Sequence, residues 1–156
     1  PGGSGNVRLI GTSVFNKPLH IFVVCRTTQA SITAYLFDGG GNNDCIFQNG
    51  ASLNTIYFAG TTIAGATFTS NVDCVYECFF NGASSFARIN GGTKATGNPG
   101  TGASATPYGI GNFTGGGNAW GGRIYAVIVY GRLLTESESA SVRSYLYPIY
   151  AITGGS

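Results

Sequence analysis

Short apolar or alternating segments recur along the chain, each fenced by glycine, asparagine or proline. Segments of this length, bounded this way, read as β-strands rather than helices. They predict strands near Val7–Ile10, Leu19–Thr27, Ile32–Phe37, Cys45–Gln48 and Thr55–Phe58, then near Val72–Phe80, Ser85–Ile89, Lys94–Thr96, Tyr108–Phe113 and Ile124–Tyr130. The stretch FNGASSFARING predicts a hairpin, with Asn81-Gly82 and Asn90-Gly91 supplying residues that tolerate positive φ. Gly97 to Pro107, rich in Gly, Ser and Thr, reads as a long loop.

The pattern changes near the end. Ile124–Tyr130 is almost continuously apolar, as expected of a strand covered on both faces. Gly131 and Arg132 turn the chain, and Thr135 with Glu138 three residues later forms a capping box, so a helix starts there. Glu136 sits at the positive end of the helix dipole. Ala140, Val142, Tyr145 and Leu146 are expected to face the strands, and Pro148 to stop the helix. These elements predict an all-β fold: an antiparallel β-sandwich closed by one short C-terminal helix.

Composition narrows the setting. The 156 residues fit one domain, and charged residues make up 9%, against about 25% in ordinary soluble domains. With 26 glycines, 10 Phe and 9 Tyr, the surface is kept wet by hydroxyls and amides rather than by charge, a composition expected of an extracellular or virion protein. The eight basic residues are scattered from Arg8 to Arg143 with no two adjacent. They form no stripe that could track phosphates, so nucleic acid is not an expected partner. No apolar run approaches the roughly 20 residues of a membrane span, so none is expected. PGGSGN (residues 1–6) and TGGS (residues 153–156) read as linkers or cut ends around a single domain at residues 7–152, part of a larger polypeptide.

Four cysteines allow three pairings. Cys74 and Cys78 fall on one predicted strand, about 13 Å apart, too far for a bridge. Cys25–Cys74 with Cys45–Cys78, Cys25–Cys78 with Cys45–Cys74, and four buried free thiols all stay open. Zinc is not expected, because His20 is the one histidine and the cysteine spacing is too wide.

The segment IYAVIVYGRLLTESESASVRSYLYPIYAI resembles the C-terminal signature of laminin-G-like, concanavalin A-like jelly-roll domains. LHIFVVCRT is similar to that family's early core strand, AYLFDGG to its strand with an Asp-Gly turn, and VYECFFNGASSFARINGG to its central hairpin. NAWGGRIYAVIVY resembles its aromatic-Gly lead into the last core strand. The likeness runs in order over residues 7 to 152. It departs at Ala126 and Arg123, where the family carries acidic residues, and before Val7, where a Gly/Ser stretch replaces the family's first strand. The resemblance implies a jelly-roll sandwich whose relatives include glycosidases, lectins and adhesive modules, so function rests on the site.

Catalytic relatives carry acids at alternating positions on one strand. Here Asp73 and Glu77 are the acids on one predicted strand, about 13 Å apart and unable to cooperate, so an enzyme is not expected. The loop DGGGNND offers Asp38, Asn42, Asn43 and Asp44 as hard oxygen ligands, with calcium held by Asp38 and Asp44; its plainer reading is a turn with a solvated tip. Trp120 with Tyr108 and Asn118 makes a candidate sugar platform, although Trp120 also matches the family's packing aromatic. His20 is expected to sit satisfied at a strand edge, and Asn112 opens an Asn-Phe-Thr glycosylation sequence. The expected function is a non-catalytic module for adhesion or glycan binding through the loops at Asp38–Asp44 and Gly115–Trp120. The alternative is a structural subunit, such as a phage decoration, tail-fibre or filament domain, whose partners are neighbouring protein subunits of a homo-oligomer or larger assembly.

Overall fold

The computed structural model describes residues 9–12, 15–29, 32–40, 44–48, 50, 54–101 and 107–153. Within them the chain runs through β1 (Leu9–Gly11), β2 (Leu19–Thr27), β3 (Ala34–Asp38), β4 (Cys45–Gln48), β5 (Asn54–Phe58) and β6 (Thr62–Thr67). It continues through β7 (Cys74–Phe80), β8 (Ser85–Ile89), β9 (Ala95–Gly97), β10 (Tyr108–Ile110), β11 (Gly122–Tyr130) and the helix α1 (Glu136–Ile149). Two antiparallel sheets form, in the orders β1-β10-β3-β4-β5-β6 and β11-β2-β7-β8-β9. The predicted sandwich with one C-terminal helix is the observed architecture. No helix among the described residues is long and apolar enough to cross a membrane.

One strand escapes the sequence pattern. β6 reads TIAGAT, its β-branched residues interrupted by Ala-Gly-Ala, and it forms by pairing with β5. Three predicted strands are shorter in fact, β3 because it starts at Ala34 rather than Ile32. β7 starts at Cys74 because Asn71 turns with φ +63°, and β10 ends at Ile110 because Gly111 turns with φ +78°. The predicted β7–β8 hairpin is present, joined by a short 3-10 turn at Gly82–Ser84. Asn90 and Gly91, at φ +49° and +75°, make the tight turn that follows β8.

Alternation along the strands of the five-stranded sheet produces two cores. Leu19, Ile21, Val23 and Cys25 of β2 and Tyr76, Cys78 and Phe80 of β7 face the other sheet, meeting Leu36, Phe37 and Ile46. Phe22, Val24 and Val75 face the opposite way and meet Leu146 of α1, with Leu134 and Ile152 on either side of the helix. β11 divides likewise: Ile124, Val127 and Val129 face the inter-sheet core, while Tyr125, Ala126, Ile128 and Tyr130 face the helix side, a bulge at Ile124–Ala126 resetting the alternation. The apolar run at Ile124–Tyr130 is therefore covered on both faces, as predicted.

The capping box is complete. Thr135 Oγ1 accepts from the Glu138 amide at 3.2 Å, and Glu138 Oε2 accepts from the Thr135 amide at 2.8 Å. At the other end the Ile152 amide donates to the Tyr147 carbonyl at 2.9 Å across Ala151, which is held at φ +51°, a Schellman closure with Ile152 buried. Pro148 lies inside the last turn rather than beyond it. The inward face also differs from expectation. Ser139, Arg143 and Leu146 are buried, whereas Tyr145 is 67% exposed.

The rotation of the helix follows from Glu77. This carboxylate on β7 is fully buried and accepts from Arg88 Nε and Nη2 at 2.9 and 2.7 Å, from Arg143 Nη1 at 2.6 Å and from His20 Nε2 at 3.1 Å. His20 Nδ1 accepts the Leu134 amide at 3.2 Å, so its proton sits on Nε2. His20 is thus not at a strand edge: it is the second residue of an internal strand, buried among Phe22, Phe79 and Phe86. Glu136, in the first turn of α1, ties the outer ends of Arg88, Arg143 and Lys94 together. Gly91 gives the passage, since a Cβ there would lie 2.9 Å from Arg143 Nε.

All four cysteines are buried free thiols. Register removes one of the open pairings: Cys25 lies opposite Cys74, while Cys78 lies opposite Ile21, four residues earlier in β2.

Burial alone would raise the Glu77 carboxyl, but the hydrogen bonds from His20 and Arg88 and the charges of Arg88 and Arg143 hold it down at about 2. A depressed carboxyl stabilises the fold above its unfolded value and loses that contribution as pH falls through the folded one. From the ordinary 4.5 down to about 2, the loss is on the order of 3 kcal/mol. Glu77→Gln is expected to cost about 3–5 kcal/mol at pH 7 and to flatten the decline in denaturant-measured stability across that window. Ala151→Gly, which relieves the left-handed backbone, is expected to stabilise the domain by roughly 0.5–1 kcal/mol in the same assay.

Candidate functional site

Two loops meet at one end of the sandwich, one following β3 and one following β10. Asp38, the last residue of β3, is fully buried and organises both. Its Oδ1 accepts from the Gly40 amide at 3.1 Å and the Cys45 thiol at 3.0 Å. Its Oδ2 accepts from the Thr114 amide at 2.8 Å and hydroxyl at 2.7 Å. Asp44, at φ +50°, is also fully buried, with Oδ1 2.8 Å from the Lys17 ammonium. The two candidate calcium ligands therefore face inward, Asp38 as a clamp between loops and Asp44 as half of an ion pair. Asn42 and Asn43 lie outside the described residues. Asn112 is fully buried, so its Asn-Phe-Thr sequence is not presented for glycosylation by the folded domain.

Tyr108, Asn118 and Trp120 each hold a separate position. Tyr108 packs on Phe15 at 4.9 Å and Phe37 at 6.3 Å between ring centroids, and its ring lies where a Cβ on Gly11 would be. Asn118 is exposed at φ +54°, and its carbonyl accepts from the Tyr35 amide at 2.9 Å. The Trp120 amide donates to the Gly111 carbonyl at 2.8 Å, its indole Nε1 donates to the Arg26 carbonyl at 3.1 Å, and its ring meets Phe68 edge-on at 5.4 Å. Trp120 is thus a packing residue, and it is also partly open.

It forms one wall of a cleft of about 390 Å³, with Leu9, Ile110, Gly111, Ala119, Gly122 and Ile124 completing the lining. Beyond Ile124 the cleft continues as a shallower hollow of about 250 Å³ along Tyr125, Ala126 and Val127. It runs between β1 and β10 at one sheet's edge and β11 at the edge of the other. Leu9 stands exposed at its rim. Sequence reasoning placed Trp120 at the site but not Leu9, Ile110 or Ile124, whose alternation signals only that they face between the sheets.

Among the described residues, no acid or histidine lines this cleft. Asp73 lies just before β7, paired with the Arg26 guanidinium, whose hydrogen bonds hold it below the usual carboxylate range. Glu77 sits on the helix side of its sheet. The two acids have different partners, and neither is poised for proton transfer. The cleft can hold a ligand by apolar contact and by backbone hydrogen bonds at its rim. A second aromatic group lies outside both cores: Tyr35 stacks on Phe47 at 5.0 Å and meets Phe113 at 5.3 Å. Burial, then the charges near Cys45 and Asp38, push the Tyr35 phenol up to about 12.

No protein-family model and no curated protein matches the chain. Solved structures do. A Limulus polyphemus SAP-like pentraxin superposes with a TM-score of 0.65 at 15% identity, covering 92% of this chain and 78% of the pentraxin. The sandwich is concanavalin A-like. A Bacteroides ovatus protein to which carbohydrate binding has been ascribed gives 0.66 at 11% identity over 83% of this chain. Domain 4 of the Geobacillus stearothermophilus arabinanase AbnA, solved with arabinotriose, gives 0.62 at 14% identity, covering 83% of this chain and 68% of that one. The chain spans 42% of the Bacteroides protein. At these identities the likeness shows the fold.

The Asp38 clamp sets the loop that carries Trp120. Asp38→Asn turns one acceptor into a donor facing donors, and is expected to cost about 1–3 kcal/mol in chemical denaturation.

Proposed function

We propose that this domain is a non-catalytic glycan-binding module of the concanavalin A-like type, displayed outside a cell or on a particle. The observation that carries the reading is the half-open indole of Trp120 in a cleft bounded by uncharged residues. The C–H face of a pyranose packs on such an aromatic surface, while its hydroxyls reach the exposed backbone of Gly115–Asn118. A neighbouring fold solved with an arabinotriose supports the choice of ligand class. Calcium enters as a second variable of the same reading, through Asp38 and Asp44, and would have to displace the Lys17 ammonium and the Thr114 bonds.

A second reading has its own observation. Leu9 is an exposed apolar residue beside β11, a nine-residue edge strand, and together they suit a neighbouring protein subunit. Sedimentation at high concentration separates the two: a stable monomer disfavours the assembly reading.

Trp120 is the chain's one tryptophan, so its fluorescence reports on the cleft alone. Glycan-array screening with and without calcium, followed by fluorescence titration of the best saccharide, is expected to give saturable binding that Ala119→Tyr weakens at least tenfold without lowering the melting temperature. No binding to any glycan in either condition would end this reading.

A further inference from the structure

We infer that Cys25 and Cys74 form an oxidation site, closing to a cross-strand disulfide in the presence of a small-molecule disulfide such as glutathione disulfide. The two residues lie directly opposite each other on β2 and β7, inside the inter-sheet core. The local ladder fixes their separation. The Val75 amide donates to Asn90 Oδ1 at 2.8 Å and its carbonyl accepts from the Asn90 amide at 2.9 Å, so Val75 turns its main chain away from β2. Alternation then points the main chain of Cys74 at β2 and makes Cys25–Cys74 a hydrogen-bonded pair. Such pairs hold their Cα atoms about 5.5 Å apart, within the roughly 4.4–6.8 Å that a disulfide spans. The bond draws the Cβ atoms in from about 5.5 Å to the roughly 3.5–4.5 Å that a disulfide takes, which tightens the local twist of the ladder.

Cys74 is the first residue of β7, beside the exposed turn at Ser70–Asn71, and it retains 4% exposure where Cys25 has none. The Cys74 thiolate attacks one sulfur of glutathione disulfide, expelling one glutathione thiolate and leaving a mixed disulfide. The Cys25 thiolate then attacks the Cys74 sulfur, expelling the second. The two thiol protons end on two reduced glutathiones, and two electrons pass from the protein to the oxidant. Burial pushes the Cys25 thiol well up, and the neighbouring Cys74 thiol adds to it, so the closed fold reacts slowly. The exchange runs during folding or on fraying of the β2–β7 end.

The test is to refold the intact chain in mixed reduced and oxidised glutathione, block remaining thiols, and map the soluble product under non-reducing conditions. The expected product has lost two hydrogens and carries a peptide linking Cys25 to Cys74. Its melting temperature is several degrees above that of the same sample in reductant, since the bond closes a loop of about 50 residues. The link and the shift are expected to vanish together in Cys74→Ser, while Cys45→Ser keeps both. Recovery of Cys25 and Cys74 as blocked thiols, or of either linked to another cysteine, would overturn the inference.

Discussion

A single buried carboxylate sets how the outer layer of this domain is built. Glu77 gathers donors from β2, β8 and α1, and an unpaired charge at that depth would be untenable. Arg88 crosses to it from the neighbouring strand, and Arg143 must reach down from the helix. That reach fixes which side of α1 faces the sheet, and it leaves Tyr145 in solvent. His20 extends the constraint to the start of the helix, because its other ring nitrogen holds the Leu134 amide. The five-stranded sheet is consequently covered on both faces, and its strands are free to be apolar without alternation.

Most of this architecture was legible in the residues, for identifiable reasons. The capping box at Thr135 and Glu138 is a local device, so its signature survives any tertiary context. The continuous apolar run at Ile124–Tyr130 reports cover on two sides, and the helix side supplies the outer cover. β6 was not legible, because Ala-Gly-Ala has no preference of its own and takes its conformation from β5. Tyr145 was misplaced because periodicity counts hydrophobicity, whereas the inward position belongs to an arginine with a buried partner. No local pattern could pair Glu77 with a residue 66 positions away.

The site was legible only in part, and the limits are instructive. Asp38 and Asp44 look like loop ligands in sequence, since a carboxylate beside glycine and asparagine reads the same whether it points in or out. The structure turns both inward, so they shape the loop end from beneath. Trp120 lines the cleft, but its wall of Leu9, Ile110 and Ile124 arises where the edges of two sheets stand apart. That separation is a property of the packed sandwich and leaves no mark on any single strand. What results, among the described residues, is a cleft with an uncharged lining and an indole in its wall.

The cleft's role as a ligand site is tested most directly by nitrogen-labelled NMR titration with a saccharide that the domain retains. The account predicts that the amides of Ala119, Gly122 and Ile124 shift progressively and together, while the Trp120 indole N–H keeps its bond to the Arg26 carbonyl and moves little. Shifts confined to another face, such as that of Tyr35 and Phe47, would contradict it.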